Sequence, residues 1–280
     1  MAHFAIYLLH SISPSPQIEM KFKTQKEDPV NSSNLCTEVF GSNASIRHKQ
    51  FKCFFSATDP LKSIPPTNTH PNWKIDPVLK HIMRISKQCV VLGSNISIDE
   101  QDIHFQGQHR DKQRISYKHV QDGFLADALC SEGYTYSWYF RNQAAPRQWM
   151  ERGLSPLHSR VMSLLQQLPK SSANYQCGMD NLFTSAKFAN VCYNGSGRKV
   201  MIHGVCWQSR GIPKSIIQEV ITRKEDVLRE KGKVKVALLR NDTNCKNLVA
   251  LSFYDNKPVY FISMACDNVM WLQKKWNIWQ

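Results

Sequence analysis

The sequence predicts an α/β protein, with a mixed sheet that begins antiparallel and is finished by a helix crossover. A helical region precedes the sheet and a smaller β-rich unit follows it. Three observations carry this. Strand-like segments follow one another from Cys89 to Phe140 with only short breaks between them. A strand, turn, helix, turn, strand pattern then occupies "NYQCGMDNLFTSAKFANVCYNGSGRKVMIHGVCW" (174–207). Short strands return near the end as "VKVALL", "LVALSFY" and "VYFISM".

Composition narrows the class. A chain of 280 residues with 42% hydrophobic residues can bury a large core, which excludes a disordered protein. Lys and Arg total 36 against 22 acids, a net charge of +14, so a polyanion such as DNA or RNA is the first partner to consider. The nine cysteines are odd in number and form no C-x-x-C pair, which argues for reduced thiols and against a zinc ribbon or redox dithiol. The opening "MAHFAIYLLHSISPSP" has an apolar run too short for a signal peptide, and no segment approaches the roughly 18 apolar residues of a membrane helix. These features predict a nuclear or otherwise intracellular protein with no membrane partner.

The elements follow in order. Residues 1–88 read as the helical region. "NASIRHKQFKCFF" (43–55) is expected to pack Phe51 and Phe55 and to turn Arg47, Lys49 and Lys52 outward. "IDPVLKHIMRI" (75–85) has Asp76 as N-cap, Pro77 at the first helical position, and Val78, Leu79, Ile82 and Met83 on one face. Residues 89–210 form the sheet domain, with strands expected in "CVVLG", "NISIDEQDI", "VQDGFLADALC" and "YTYSWYF". In "SPLHSRVMSLLQQLP" (155–169), Ser155 caps, Pro156 follows, and Leu157, Val161, Leu164, Leu165 and Leu168 make one stripe. A further helix starts near Thr184 or Ser185, packs Phe188 and Cys192, and stops at Gly195. The resulting α/β arrangement is of the ribonuclease H kind. Residues 211–280 make up the smaller β-rich unit.

Two acids stand out. Ile96 and Ile98 alternate with Ser97 and Asp99, so Asp99 is expected where its strand runs out. Tyr175, Cys177 and Met179 alternate with Gln176, Gly178 and Asp180, so Asp180 ends its own strand. Two carboxylates at the carboxyl ends of strands in one sheet can meet and hold a hard cation for phosphoryl transfer. The competing reading is a turn acid or helix cap, to which Asp180 just before a helix is especially open. After Asp99 comes a basic loop with His109, Arg110, Lys112, Arg114, Tyr117 and Lys118, suited either to DNA phosphates or to plain solvation. His104 and His203 with Cys177 and Cys206 fit no zinc spacing.

The blocks "ISIDEQDIHFQGQ", "YKHVQDGF" and "GMDNLFTSAKF" occur in that order. They resemble I-D-E-x-x-x-x-F-x-G, K-x-x-x-x-G-F and M-D-N-x-F-T-S of the piggyBac family of DDE transposases. "VFGSNASIRHKQFKCFF", "WKIDPVLKHI", "SRGIPK" and "LVALSFYDNKPVYFIS" agree with the flanking regions, so the resemblance covers nearly the whole chain. It implies a ribonuclease H-like catalytic domain with a helical N-terminal region and a β-rich insertion, and a protein acting on DNA, with a homodimer as the assembly. It also implies Mg²⁺ held by three aspartates, the first two falling on Asp99 and Asp180, while Lys118 falls on the lysine of the second block. The third acid belongs to a block resembling G-G-V-D-x-x-D-Q that this sequence does not contain, and Asp267 is not placed to replace it. The cysteine-rich zinc-binding tail is likewise not found. The expectation is therefore a transposase-derived protein with catalysis lost, or a non-catalytic DNA-binding module of the same ancestry.

Overall fold

A computed structural model describes residues 43–54, 57–59, 71–105, 107–114, 122–170, 174–195, 197–217, 234–239, 248–255 and 257–264. The chain forms two compact units, Met1–Ser63 with Trp73–Pro77, and Ile64–Asn72 with Val78–Gln280. In the first, α1 (Ala44–Phe54) buries His48 and half-buries Phe51, and Arg47 and Lys49 face outward as expected. Phe55 lies outside the described residues, as does the side chain of Lys52.

The second unit is built on one sheet. Its strands are β1 (Asn95–His104), β2 (Gln113–Arg114), β3 (Asp122–Ser131), β4 (Tyr134–Phe140), β5 (Tyr175–Met179), β6 (Val200–Val205), β7 (Lys235–Leu239), β8 (Leu248–Tyr254) and β9 (Pro258–Ser263). They run in the order β2-β3-β1-β5-β6-β9-β8-β7, with β4 also paired to β3. The pairs β1·β3 and β3·β4 are antiparallel, while β1·β5 and β5·β6 are parallel. A three-strand meander extended by two parallel strands is the expected ribonuclease H-like arrangement. The C-terminal strands do not form a sheet of their own, because β9 pairs with β6 and carries β8 and β7 after it.

Local chemistry explains the elements. Glu132 and Gly133 both take positive φ, 50° and 80°, the geometry of a two-residue hairpin turn whose twist suits β3 and β4. A short helix α3 (Arg147–Met150) buries Trp149. Helix α4 (Pro156–Leu165) begins as its sequence requires, with the Ser155 hydroxyl accepting from the His158 N–H at 3.2 Å. Its Val161, Leu164 and Leu165, with Leu168 just beyond, have no exposed surface or almost none. Helix α5 (Ala186–Gly195) supplies Phe188, Ala189 and Cys192 to the same core. In-register Ile96 with Cys177 and Ile98 with Met179 form the sheet side of that core. Burial there raises the Cys177 and Cys192 thiols, and pushes Cys206 up to about 11, so these groups stay protonated and pack as small apolar residues.

Two expectations are corrected. "CVVLG" is not a strand: α2 (Asp76–Cys89) runs through Cys89, and residues 90–93 have no regular structure. The apolar residues of α2 also form two stripes instead of one. Leu79 and Met83 turn partly inward with Ser86, whose hydroxyl meets the Tyr134 hydroxyl at 2.8 Å, while Val78, Ile82 and Ile85 stay exposed. Residues spaced i, i+4, i+7 share a side of a helix, and two such sets cannot both face β4.

Candidate functional site

The parallel pairing of β1 with β5 ends at Ile98 opposite Met179. The next residue of each strand is an aspartate, Asp99 and Asp180, so the register sets them side by side at a strand spacing of about 4.8 Å. Alternation turns Ile98 and Met179 into the core and both aspartates to the exposed face. Asp99 does not end its strand as expected. Only the pairing with β5 stops there, while the pairing with β3 carries β1 on to His104.

Asp180 sits in a fixed turn. Its Oδ1 accepts from the Leu182 N–H at 2.9 Å, and its carbonyl accepts from the Thr184 hydroxyl at 2.7 Å. The reading of Asp180 as the cap of α5 is answered by Ser185, whose hydroxyl accepts from the Phe188 N–H at 3.1 Å. Gly204, in register with Met179, is required on space alone, since a Cβ there would run into the Met179 carbonyl and press on the Thr184 hydroxyl at 2.6 Å. The Asp180 carboxyl is raised above its ordinary value. Desolvation is the main cause, the Leu182 and Phe183 N–H groups oppose it, and the charges of Asp99 and Glu100 add to it. Two like charges, with no Lys or Arg paired to either among the described residues, fit a hard divalent ion, which takes one or two carboxylates and fills its octahedron with water and substrate oxygens.

Glu100 faces the other way and forms an ion pair with Arg141. Arg141 Nε also donates to Asp127 at 2.7 Å, and Arg160 Nε donates to the second oxygen of the same carboxylate at 2.9 Å. Asp127 is completely buried. This quartet was not anticipated from the sequence, although a lone acid inside the apolar run "FLADALC" signals a buried partner.

His203 is a second unanticipated neighbour. It pairs in register with Gly178, two residues before Asp180, and therefore stands on the face of the acid pair. A Cβ on Gly178 would press on His203 Nε2 at 3.4 Å. Desolvation lowers the His203 pKa, and its buried Nδ1 has no hydrogen-bond partner among the described residues. Cys177 points to the opposite face, so the register keeps it apart from His203.

The basic loop lies farther off than its place in the sequence suggests. Asp111 accepts an ion pair from Arg110 at 3.5 Å, Lys112 follows, and Arg114 is on β2 against Asp122. All follow the far end of β1, five residues or about 17 Å along the strand from Asp99. Lys118, Tyr117 and Asp267 lie outside the described residues. Among the described residues no group of three or more His, Cys, Asp or Glu gathers as a metal site.

The family model described as Transposase IS4 matches residues 1–276. The chain belongs to the IS4 transposase family. This IS4-type chain is also similar to the piggyBac transposase of a synaptic complex with hairpin DNA, solved by cryo-electron microscopy, with a TM-score of 0.60 and 18% identity. The match covers 94% of this chain and 48% of that one, so the chain spans about half the length of that transposase. At this identity the likeness establishes the shared fold, and it bears out the resemblance read from the sequence blocks. No curated protein matches the chain. No helix among the described residues of this transposase-family chain is long and apolar enough to cross a membrane.

Proposed function

We propose that this transposase-family chain binds DNA and presents Asp99 and Asp180 as ligands for a divalent cation, Mg²⁺, set against a DNA phosphate. The observation that carries this reading is the register itself, which brings two acids distant in sequence side by side on one exposed face, with the charge of Asp99 helping to raise Asp180. When bound, such a cation would polarise a phosphoryl oxygen and neutralise developing charge.

The chain's own residues do the rest. The Leu182 N–H holds the Asp180 carboxylate and the Thr184 hydroxyl holds its backbone carbonyl, and Glu100 is drawn to the far face by Arg141, which keeps a third negative charge out of the pair's immediate plane. Arg110, Lys112 and Arg114 would meet backbone phosphates away from the acids, about five base-pair steps along a duplex at 3.4 Å per step. Lys118 is assigned the same role on the resemblance alone. Cation-assisted DNA binding is the activity proposed, in a homodimeric nuclear protein.

The test pairs two measurements on wild type and Asp99→Ala. Duplex binding at several salt concentrations should give a negative slope of log K against log salt. Mg²⁺ or Mn²⁺ should raise the thermal midpoint of wild type and leave Asp99→Ala unmoved. Equal metal response in both proteins sinks the assignment of the acids. Metal-dependent strand cleavage by wild type and not by Asp99→Ala would restore the catalytic reading.

A further inference from the structure

Helices α4 and α5 begin side by side, and between their starts lies a cavity of about 440 Å³. Its lining includes Ser155, His158, Ser185, Lys187, Ser209 and Arg210, and no acid. The two cations have no carboxylate partner among the described residues. Lys187 Nζ donates to the Gly153 carbonyl at 2.8 Å, and Arg210 Nη1 donates to the Leu182 carbonyl at 2.8 Å. These carbonyls fix the two side chains without neutralising them, and leave most of their donors unused. Gly211, which also lines the cavity, has φ of 105° and packs on Ala186 too closely for a side chain, so the turn carrying Arg210 is held against the start of α5.

His158 supplies an independent indication. The side chain is nine-tenths buried at 9% exposure, stacks on Phe188 at 4.2 Å, and bonds the Phe183 carbonyl through Nε2 at 2.9 Å. Its Nδ1 has no protein partner in the described structure. Burial lowers its pKa most, and the charges of Arg210 and Lys187 lower it further, so the cavity carries a positive field that its own walls do not cancel. Around that field stand the hydroxyls of Ser155, Ser185 and Ser209, the first two at the N-terminal ends of ten-residue helices, whose dipoles add to the positive potential. Flexible cations, hydroxyls and helix N-termini together match a tetrahedral oxyanion with several acceptor oxygens.

We propose that this cavity is a phosphate-binding pocket, distinct from the Asp99/Asp180 pair, and that the phosphate it takes is a backbone phosphate of the bound DNA. The pocket itself rests on its own residues, and only the source of the phosphate rests on the proposed function. Leu182, which anchors Arg210, is two residues beyond Asp180, so the pocket opens at the same end of β5 as the acids. A strand with one phosphate at the pair could therefore be gripped a short way along by this second site.

The experiment uses the full chain, ¹⁵N-labelled and titrated with inorganic phosphate at constant ionic strength. Saturable shifts are expected at the amides of Leu157, Ala186 and Lys187, with His158 titrating at higher pH once phosphate is bound. Ser209→Glu puts a negative charge at the mouth without removing a recorded hydrogen bond, and should weaken phosphate roughly 10- to 100-fold with an unchanged melting curve. Arg210→Lys, which keeps the charge, should retain binding. Scattered shifts, or shifts identical in Ser209→Glu, overturn the pocket. In the DNA arm, Ser209→Glu should reduce the steepness of log K against log salt by about 0.9, one phosphate contact. An unchanged slope overturns the DNA source and leaves a site for free phosphate. Failure of the acid-pair reading is separate, since Asp99→Ala tests metal response and leaves the phosphate titration as it was.

Discussion

Asp127 and the Asp99/Asp180 pair belong to one sheet and are met by opposite surroundings. Across the β1·β3 ladder, Glu100 stands opposite Asp127 and Asp99 stands opposite Ala128. One step along β1 thus changes the face, and with it the electrostatic regime. On the covered face two acids meet two guanidinium groups, from Arg141 and Arg160, and every charge has a counter-charge. On the open face two acids stand near each other, and among the described residues no Lys or Arg is paired with either. The first arrangement holds the fold. The second tolerates repulsion that the fold alone does not require, as the proposed cation site needs.

The largest effect should come from the covered face. Asp127→Ala leaves Arg141 and Arg160 buried without their shared anion, and breaking a buried pair from one side costs about 3–5 kcal/mol. Asp99→Ala, on the exposed face, should change stability by no more than about 0.5 kcal/mol. Urea denaturation of the two variants measures both. Equal losses would break the contrast between a structural and an available acid. Gly204→Ala should fall between them, at about 1–3 kcal/mol, because its Cβ meets the backbone of the strand that carries Asp180. It should also weaken the Mg²⁺ response in a thermal melt, since Met179 must shift and Asp180 follows it.

Much of this frame was legible before any coordinates. The two-residue alternation located both aspartates, and Ser155–Pro156 and Gly195 located helix ends, because these signals are local and bound to backbone geometry. The strand expected in "NISIDEQDI" does run past Asp99, whereas the stop of the β5 pairing just before Asp99 was not legible, since it depends on a partner distant in the sequence. The quartet around Asp127 joins residues on β1, β3, the end of β4 and α4, so no spacing in the sequence announces it. The sequence offers His203 only among residues that fit no zinc spacing, whereas its place depends on a register with Gly178 that no single-strand pattern contains. The apolar pattern of α2 does not distinguish its two stripes, because periodicity does not state which side of a helix finds a partner. Closeness in sequence likewise sets the cations of the basic loop beside the acids, although β1 carries them away.

The smallest predicted effect sharpens the comparison most, because it depends on pH and on metal together. The Asp180 carboxyl is raised in the folded chain, so the folded state keeps its proton to higher pH than the unfolded state does. Stability contributed by the protonated form is therefore present below the ordinary aspartate range, about pH 4, and is lost as pH rises through the raised folded value. Asp180→Asn has no such loss, so the variant should match wild type at acid pH and exceed it slightly at pH 7, by roughly 0.5 kcal/mol for a half-exposed group. Millimolar Mg²⁺ should close the gap by stabilising wild type at pH 7, and do progressively less as pH falls and the ligand takes up its proton. Thermal melts of both proteins across this pH range, with and without Mg²⁺, give four curves. Parallel curves for wild type and Asp180→Asn would mean that the carboxyl titrates as an ordinary surface acid, and the like-charge pair would then be no more available to a cation than any other aspartate of the sheet.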